Sequence, residues 1–170
     1  MHEYHIISEF YKDKRAKRSN VPYMNHIDEG LIILNSIGAS TDSKKAFCIH
    51  PILQEDQTLS ENRWLVRSCS IEVVLLCMEY RNVANRGLSC FQVDDPARIY
   101  LGPLKEVHDM LIADKVQNRK DFLKYHLGSH PKSKELDIYF KNWLRALNVT
   151  EQDYDSLVSN IEAFYSQENK

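Results

Sequence analysis

Two histidines and one aspartate, His26, His50 and Asp114, fall on three separate predicted helices and could supply the ligands of a divalent metal ion. Imidazole nitrogens and carboxylate oxygens are common ligands of such ions. Each residue also has a simpler explanation. His26 could be a hydrogen-bonded structural histidine, and His50 could interact with a helix dipole. Asp114 could pair with a lysine or arginine, or its helix face could turn toward solvent.

The spacing around Asp114 indicates a buried polar position. Leu104, Val107 and Leu111 follow one another at intervals of three and four residues, and Asp114 and Asn118 continue the same rhythm. This spacing places all five on one side of a helix. A carboxylate in register with an apolar stripe loses hydration unless a metal, a cation or a helix terminus compensates it.

Two acidic residues, Glu55 and Asp56, follow His50 closely and are candidates for catalysis. A carboxylate near a metal ion can orient or deprotonate a bound water molecule, which is general-base chemistry. Gly30, four residues after His26, is predicted to leave space beside that histidine.

The elements that carry these residues are predicted to be helices. Glycine is scarce, with 5 residues in 170, which argues against sandwiches, barrels and glycine-rich phosphate loops. Hydrophobic residues make up 43%, enough for the core of one domain spanning 1–170. We therefore expect an all-α, single-domain helical bundle of seven helices. They cover about His2–Lys17, Tyr23–Ile37, Asp42–His50, Glu61–Tyr80, Pro103–Tyr125, Glu135–Leu147 and Glu151–Tyr165, with Pro51 ending the third and loops over Pro51–Ser60 and Arg81–Ile99.

Charge and targeting signals favour a cytoplasmic protein that acts on a small molecule. The formal net charge is −2, which does not suggest a general nucleic-acid binder, although a basic cluster runs from Lys12 to Arg18. The N-terminus does not have the pattern of a signal peptide, and no apolar stretch approaches the ~20 residues of a membrane span. None of the cysteines forms a C-x-x-C pair, so we expect reduced thiols at Cys48, Cys69, Cys77 and Cys90.

Three blocks of sequence, in order, resemble the motifs of RelA/SpoT-type HD hydrolases. Lys17–His26 resembles the pattern R-K-x-G-x-P-Y-[IL]-x-H, and Lys45–His50 resembles A-A-x-L-H-D. Leu111–Arg119 is similar to L-A-D-[RK]-L-x-N-[ML]-R. The resemblance covers about 4–122, roughly two thirds of the chain, and leaves the predicted C-terminal helices, 132–167, without an assigned motif.

This resemblance implies an HD-type helical bundle that binds a divalent ion, usually manganese. It also implies hydrolysis of the 3′-pyrophosphate of guanosine alarmones. The positions that match the family's functional residues are His26, His50 and Asp114 as metal ligands, and Lys17, Arg18, Tyr23 and Asn118 as nucleotide contacts.

The sequence departs from the family pattern at three places. Pro51 replaces the aspartate of the HD pair and offers neither a side-chain ligand nor a backbone N–H. We therefore expect weaker metal binding. The catalytic acidic pair aligns with Gln54 and Glu55 when no gap is allowed, and with Glu55 and Asp56 when one residue is inserted. Asn20 stands where the pattern has glycine.

Two functions follow from these observations. The first is a metal-dependent phosphohydrolase that acts on a nucleotide phosphate or pyrophosphate, such as a guanosine alarmone. The alternative is a catalytically degenerate HD-fold protein that binds a nucleotide or a protein partner. Tyr139, Phe140 and Trp143 are predicted to pack on the core, with a contact between copies in a homo-oligomer as the other interpretation.

Overall fold

Eight α-helices occupy the part of the chain that the computed structural model describes, residues 1–88 and 96–168. No β-strand occurs within these ranges, so the expectation of an all-α single-domain bundle is confirmed. The helices are α1 (His2–Tyr11), α2 (Met24–Ser36), α3 (Thr41–Gln54), α4 (Asp56–Val66), α5 (Ile71–Leu88), α6 (Lys105–Tyr125), α7 (Ser133–Ala146) and α8 (Glu151–Glu168), with a 3₁₀ turn at Pro96–Arg98.

Helices α3 and α6 form the middle of the bundle. α3 packs against α1, α2, α4, α5 and α6, and α6 also packs against α2, α5, α7 and α8. The Ser40 side chain begins α3 by accepting a hydrogen bond from the Ser43 N–H at 3.1 Å. Because α3 and α6 lie in the middle of the bundle, polar side chains on their inward faces point into an apolar interior. The core they enter includes Phe47, Ile52, Leu53, Met110, Leu111 and Trp143, all fully buried.

Pro51 does not end the third helix, contrary to the sequence prediction. α3 continues to Gln54, and Glu55 ends it with extended backbone at φ −99° and ψ 146°. A proline in a helix interior removes one hydrogen bond and usually breaks or kinks the helix. Here Ile52 and Leu53, which follow it, are both buried, and the burial of these two side chains offsets the cost.

The predicted boundaries between Pro51 and Ile99 are also wrong. Helices α3 and α4 together occupy the predicted loop over Pro51–Ser60 except for Glu55, and α5 begins only at Ile71. The predicted loop from Arg81 is helical through Leu88, because Val83 and Ala84 add two further buried apolar side chains to α5. Residues 89–95 of that predicted loop, including Cys90, lie outside the described residues.

Further features of the fold concern a helix cap, two aromatic residues of α7 and the thiols. Thr150 caps α8: the Asp153 N–H donates to its hydroxyl at 3.1 Å and the Asp153 carboxylate accepts from the Thr150 N–H at 3.0 Å. Phe140 and Trp143 pack in the interior, as expected. None of the described helices carries an apolar stretch that could traverse a bilayer. Cys48, Cys69 and Cys77 are free thiols.

Candidate metal centre and its cleft

His26, His50 and Asp114 meet in the interior, where α2, α3 and α6 pack together. His26 Nε2 lies 3.5 Å from His50 Nε2 and 3.6 Å from Asp114 Oδ1. The three potential ligand atoms all lie within 4.8 Å of one another. With metal–ligand bonds of about 2.1 Å, ligands of one ion lie at such separations. We name these three residues the inner cluster.

Hydrogen bonds on the far side of each ring set the tautomers of the two histidines. His50 Nδ1 donates to the Phe47 carbonyl at 2.6 Å. His26 Nδ1 donates to Gln117 Oε1 at 2.7 Å. The Gln117 amide is oriented by its own N–H groups, which donate to Glu29 at 2.9 Å and to Asp121 at 2.8 Å. Nδ1 thus carries a proton in both rings, and Nε2 of a neutral ring presents its lone pair to the cluster, as in metal-binding histidines.

The protonation states of the inner cluster suit a cation. Burial, followed by the nearby positive charge of His26, lowers the pKa of His50 to about 3. Burial raises the pKa of Asp114, but Lys115 and the two histidines outweigh burial and bring the value to about 2. At neutral pH the cluster thus has a neutral His50 and an ionised Asp114. Metal ligands must be deprotonated in this way, so the donor set fits a divalent ion.

Asp114 also forms a buried ion pair, so the interpretation that it pairs with a lysine is confirmed, and its role as a metal ligand stays a prediction. Its Oδ2 lies 2.7 Å from Lys115 Nζ, while Oδ1 faces His26 and accepts a 2.9 Å hydrogen bond from Asn118. Burial lowers the pKa of Lys115, but the Asp114 charge outweighs this and raises it to about 12. Lys115 also lies 4.9 Å from the Trp143 ring centroid, where the aromatic face stabilises the cation.

The inner cluster opens into a cleft of about 770 Å³. All four residues matched to nucleotide contacts, Lys17, Arg18, Tyr23 and Asn118, line this cleft together with the inner cluster. The side of the cleft facing solvent is basic. Lys17 and Arg18 are exposed, and two half-buried histidines from the segment after α6 also line the cleft. We name these four residues the basic rim: Lys17, Arg18, His126 and His130.

A tight turn between α1 and α2 positions Lys17 and Arg18 of the basic rim. α1 ends at Tyr11, earlier than predicted, and the Ala16 N–H then bonds to the Val21 carbonyl at 2.9 Å. Asn20 adopts a φ of 56°, a left-handed conformation that favours glycine and that asparagine tolerates better than most residues. The replacement of the family's glycine by Asn20 therefore preserves the turn. The Arg15 side chain closes it with a 2.8 Å bond to the Asn20 carbonyl.

Glu55 and Asp56 are not among the described residues that line the cleft. Glu55 is exposed at the junction of α3 and α4. Asp56 has a side chain 92% exposed and pairs with Arg81. Pro51 and Gln54 line the cleft instead, so the alignment without a gap, which pairs Gln54 with Glu55, places its first member there. The predicted catalytic role of Glu55 and Asp56 thus stays a prediction.

Gly30 does provide space, although Phe47 fills it. A Cβ atom at Gly30 would lie 2.1 Å from Phe47 Cε1. The Phe47 ring packs against both histidines, with ring centroids 5.4 Å from His26 and 4.8 Å from His50. The glycine therefore acts on His26 through Phe47, which supports both imidazoles.

Sequence reasoning missed several residues of the site. Gln117, Lys115 and Tyr80 surround the inner cluster, and the Tyr80 ring centroid lies 4.7 Å from that of His50. Burial and the adjacent Asp114 raise the pKa of Tyr80 well above its usual value, so it remains a hydrogen-bond donor. The interval of three residues between Asp114 and Gln117 could have identified Gln117, because helix positions three apart share a face.

Comparisons with protein-family models, curated proteins and solved structures find no match to this chain.

Proposed function

We propose that this protein is a metal-dependent phosphohydrolase that acts on a nucleotide phosphate or pyrophosphate. The observation that carries the proposal is the convergence of two imidazole lone pairs and one carboxylate oxygen beside a cleft with a basic rim. The His50 Nε2 and the Asp114 carboxylate are acceptors, and the His26 Nε2 is a third when its ring is neutral. A divalent cation, with Mn²⁺ the first ion to test, satisfies all three acceptors.

Within this proposal the chain's own residues hold and orient the reacting groups. His26, His50 and Asp114 hold the ion, and Asn118 and Lys115 fix the two oxygens of Asp114. A bound divalent ion would lower the pKa of a coordinated water and draw charge from a phosphate oxygen.

The basic rim and Tyr23 select the substrate class. Lys17 and Arg18 would neutralise phosphate charge, and an arginine plane can also stack on a purine. The Tyr23 ring, 39% exposed, lies 5.2 Å from that of Tyr11 at the same cleft. Cationic groups beside aromatic rings are suited to an anionic nucleotide, and a guanosine alarmone is the first candidate from the sequence resemblance.

The decisive experiment is a turnover assay with defined metal content. Purified protein is stripped with chelator, reloaded with Mn²⁺ and incubated with a nucleotide panel that includes guanosine tetraphosphate. We expect release of phosphate or pyrophosphate that depends on Mn²⁺ and is lost in Asp114→Ala. Asp109→Asn, which alters a buried carboxylate on the same helix paired with Lys105, should retain turnover. Turnover unaffected by Asp114→Ala would refute the proposal.

A second candidate is an HD-like protein that binds nucleotide without hydrolysing it. Two observations favour it: Pro51 cannot supply a side-chain ligand, and Gln54, an amide that cannot accept a proton from water, lines the cleft near it. This candidate predicts Mn²⁺-dependent nucleotide binding by calorimetry with no product release from any member of the panel.

A further inference from the structure

Pro51 has a consequence for its neighbour His50. In an α-helix each N–H donates to the carbonyl four residues earlier, so residue 51 would donate to Phe47. Proline has no N–H, and α3 nevertheless continues through Pro51 to Gln54. The Phe47 carbonyl is thereby left available for another donor. His50 Nδ1 lies 2.6 Å from that carbonyl oxygen.

We propose that Pro51 is a positioning residue for the metal centre. By withholding its N–H, Pro51 reserves the Phe47 carbonyl for the His50 Nδ1–H and so directs the Nε2 lone pair of His50 at the inner cluster. This inference rests on the proposed function for its purpose, because a lone pair at this position serves a cation.

In the surroundings of His50, this hydrogen bond determines which ring nitrogen carries the proton. His50 is 2% exposed, and the rings of Phe47 and Tyr80 flank it with centroids 4.8 Å and 4.7 Å away. In the other tautomer, Nε2–H would point at His26 while the bare Nδ1 would face a carbonyl oxygen 2.6 Å away. Two acceptors at that distance repel, so the Phe47 carbonyl selects Nδ1–H.

A backbone N–H at residue 51 would share the same carbonyl oxygen, which has two lone pairs, and would weaken its bond to the His50 Nδ1–H. Alanine at this position restores the N–H and adds no ligand, so it separates two explanations of Pro51. If Pro51 is only a lost aspartate ligand, Pro51→Ala leaves metal binding unchanged. If Pro51 reserves the carbonyl, Pro51→Ala weakens metal binding. Pro51→Asp restores the N–H and adds a carboxylate together, so it cannot separate them.

The test has two readouts on the intact chain. The first is ¹⁵N and ¹³C NMR of the His50 ring in metal-free protein, which reports the tautomer. The second is Mn²⁺ affinity by calorimetry. We expect His50 to be entirely in the Nδ1–H form in the parent, and a measurable Nε2–H population to arise in Pro51→Ala. Mn²⁺ affinity should fall about tenfold, the usual lower cost of removing an outer partner of a metal ligand.

Controls keep the outcomes distinct. Pro51→Gly restores the same N–H with a different side chain and should reproduce both effects, and Pro103→Ala, an exposed proline that does not line the cleft, should cause neither. Folding is checked by circular dichroism. An unchanged tautomer and Mn²⁺ affinity within twofold of the parent in Pro51→Ala would overturn the inference. A parent that binds no Mn²⁺ would refute the metal centre, whereas the tautomer readout in metal-free protein would still decide the role of Pro51.

Discussion

The inner cluster and the basic rim line the same cleft, but the first lies on three packed helices with only His26 partly exposed, whereas the second lies on segments between helices. Every polar atom of the inner cluster that faces away from its centre has a fixed partner, such as Gln117 for His26 and Phe47 for His50. Lys17 and Arg18 in the rim are exposed. The comparison indicates that, in the proposed function, packed helices would fix the metal ligands, whereas substrate recognition would depend on exposed side chains and on a field that salt screens.

Removing the carboxylate of the inner cluster should give the largest effect. Asp114→Ala should weaken Mn²⁺ binding by at least a hundredfold, because it removes one ligand of three. It should also destabilise the fold by about 3–5 kcal/mol, because Lys115 is left as an unpaired buried charge. Calorimetry and urea unfolding measure the two effects. If the Mn²⁺ affinity of Asp114→Ala stays within tenfold of that of the parent, the contrast between the inner cluster and the basic rim is wrong.

Acid should affect the inner cluster before the rest of the core. His50 has a pKa of about 3 in the fold against 6.5 as its usual value, so the unfolded chain binds more protons between these values. The free energy of unfolding of metal-free protein should therefore fall as the pH drops from 6.5 toward 3, by up to about 1.4 kcal/mol per unit. Asp114, with a pKa of about 2 against 3.8, adds a further loss below pH 3.8.

Urea unfolding at a series of pH values checks this slope. His50→Gln removes the titrating group and should flatten the part of the curve above pH 4. A slope that survives in His50→Gln would assign the acid sensitivity to other residues.

Neutralising the basic rim should give an intermediate effect that is confined to nucleotide binding. Lys17→Ala and Arg18→Ala should each weaken nucleotide affinity about tenfold at low salt, with a smaller effect at high salt because the charges are exposed. Mn²⁺ affinity should not change. Lys12→Ala, an exposed lysine of the same basic segment that does not line the cleft, is the matched control. If Lys12→Ala weakens nucleotide affinity equally, the overall positive charge of this segment attracts the nucleotide, and the particular residues of the basic rim do not.

The smallest effects are expected for the acidic pair outside the cleft. Asp56→Asn removes an exposed partner of Arg81, which should change the free energy of unfolding by less than about 1 kcal/mol. From their placement, Asp56→Asn and Glu55→Gln should each change turnover less than twofold. A loss of a hundredfold or more in either variant would instead support the catalytic role predicted from the sequence alignment.

The sequence was informative where polar residues interrupted a periodic pattern. Asp114 could be identified because Val107 and Leu111 define an apolar stripe, which is buried in the structure. Helical spacing is regular, so the stripe can be extended to residue 114. Gln117 shares a helix face with Asp114, but its role depends on a histidine from another helix, and the spacing alone does not indicate that contact. Gly30 showed that space was needed but not that Phe47 would fill it.

Proline was the main source of error in the helix boundaries. Local propensity makes Pro51 a helix breaker, whereas the burial of Ile52 and Leu53 carries the helix beyond it. The sequence therefore predicts a helix that stops at Pro51 and a metal ligand lost at this position. Its effect on the Phe47 carbonyl could not be anticipated as long as the helix was expected to stop there.

The ion pair between Asp114 and Lys115 has an electrostatic consequence for the order of binding. The carboxylate and the ammonium cancel, and His50 is neutral at physiological pH. A divalent ion held by the inner cluster, as proposed above, would add a charge of +2 to a largely buried region where solvent screens charge weakly. Metal loading would thus strengthen the attraction of the cleft for an anionic nucleotide.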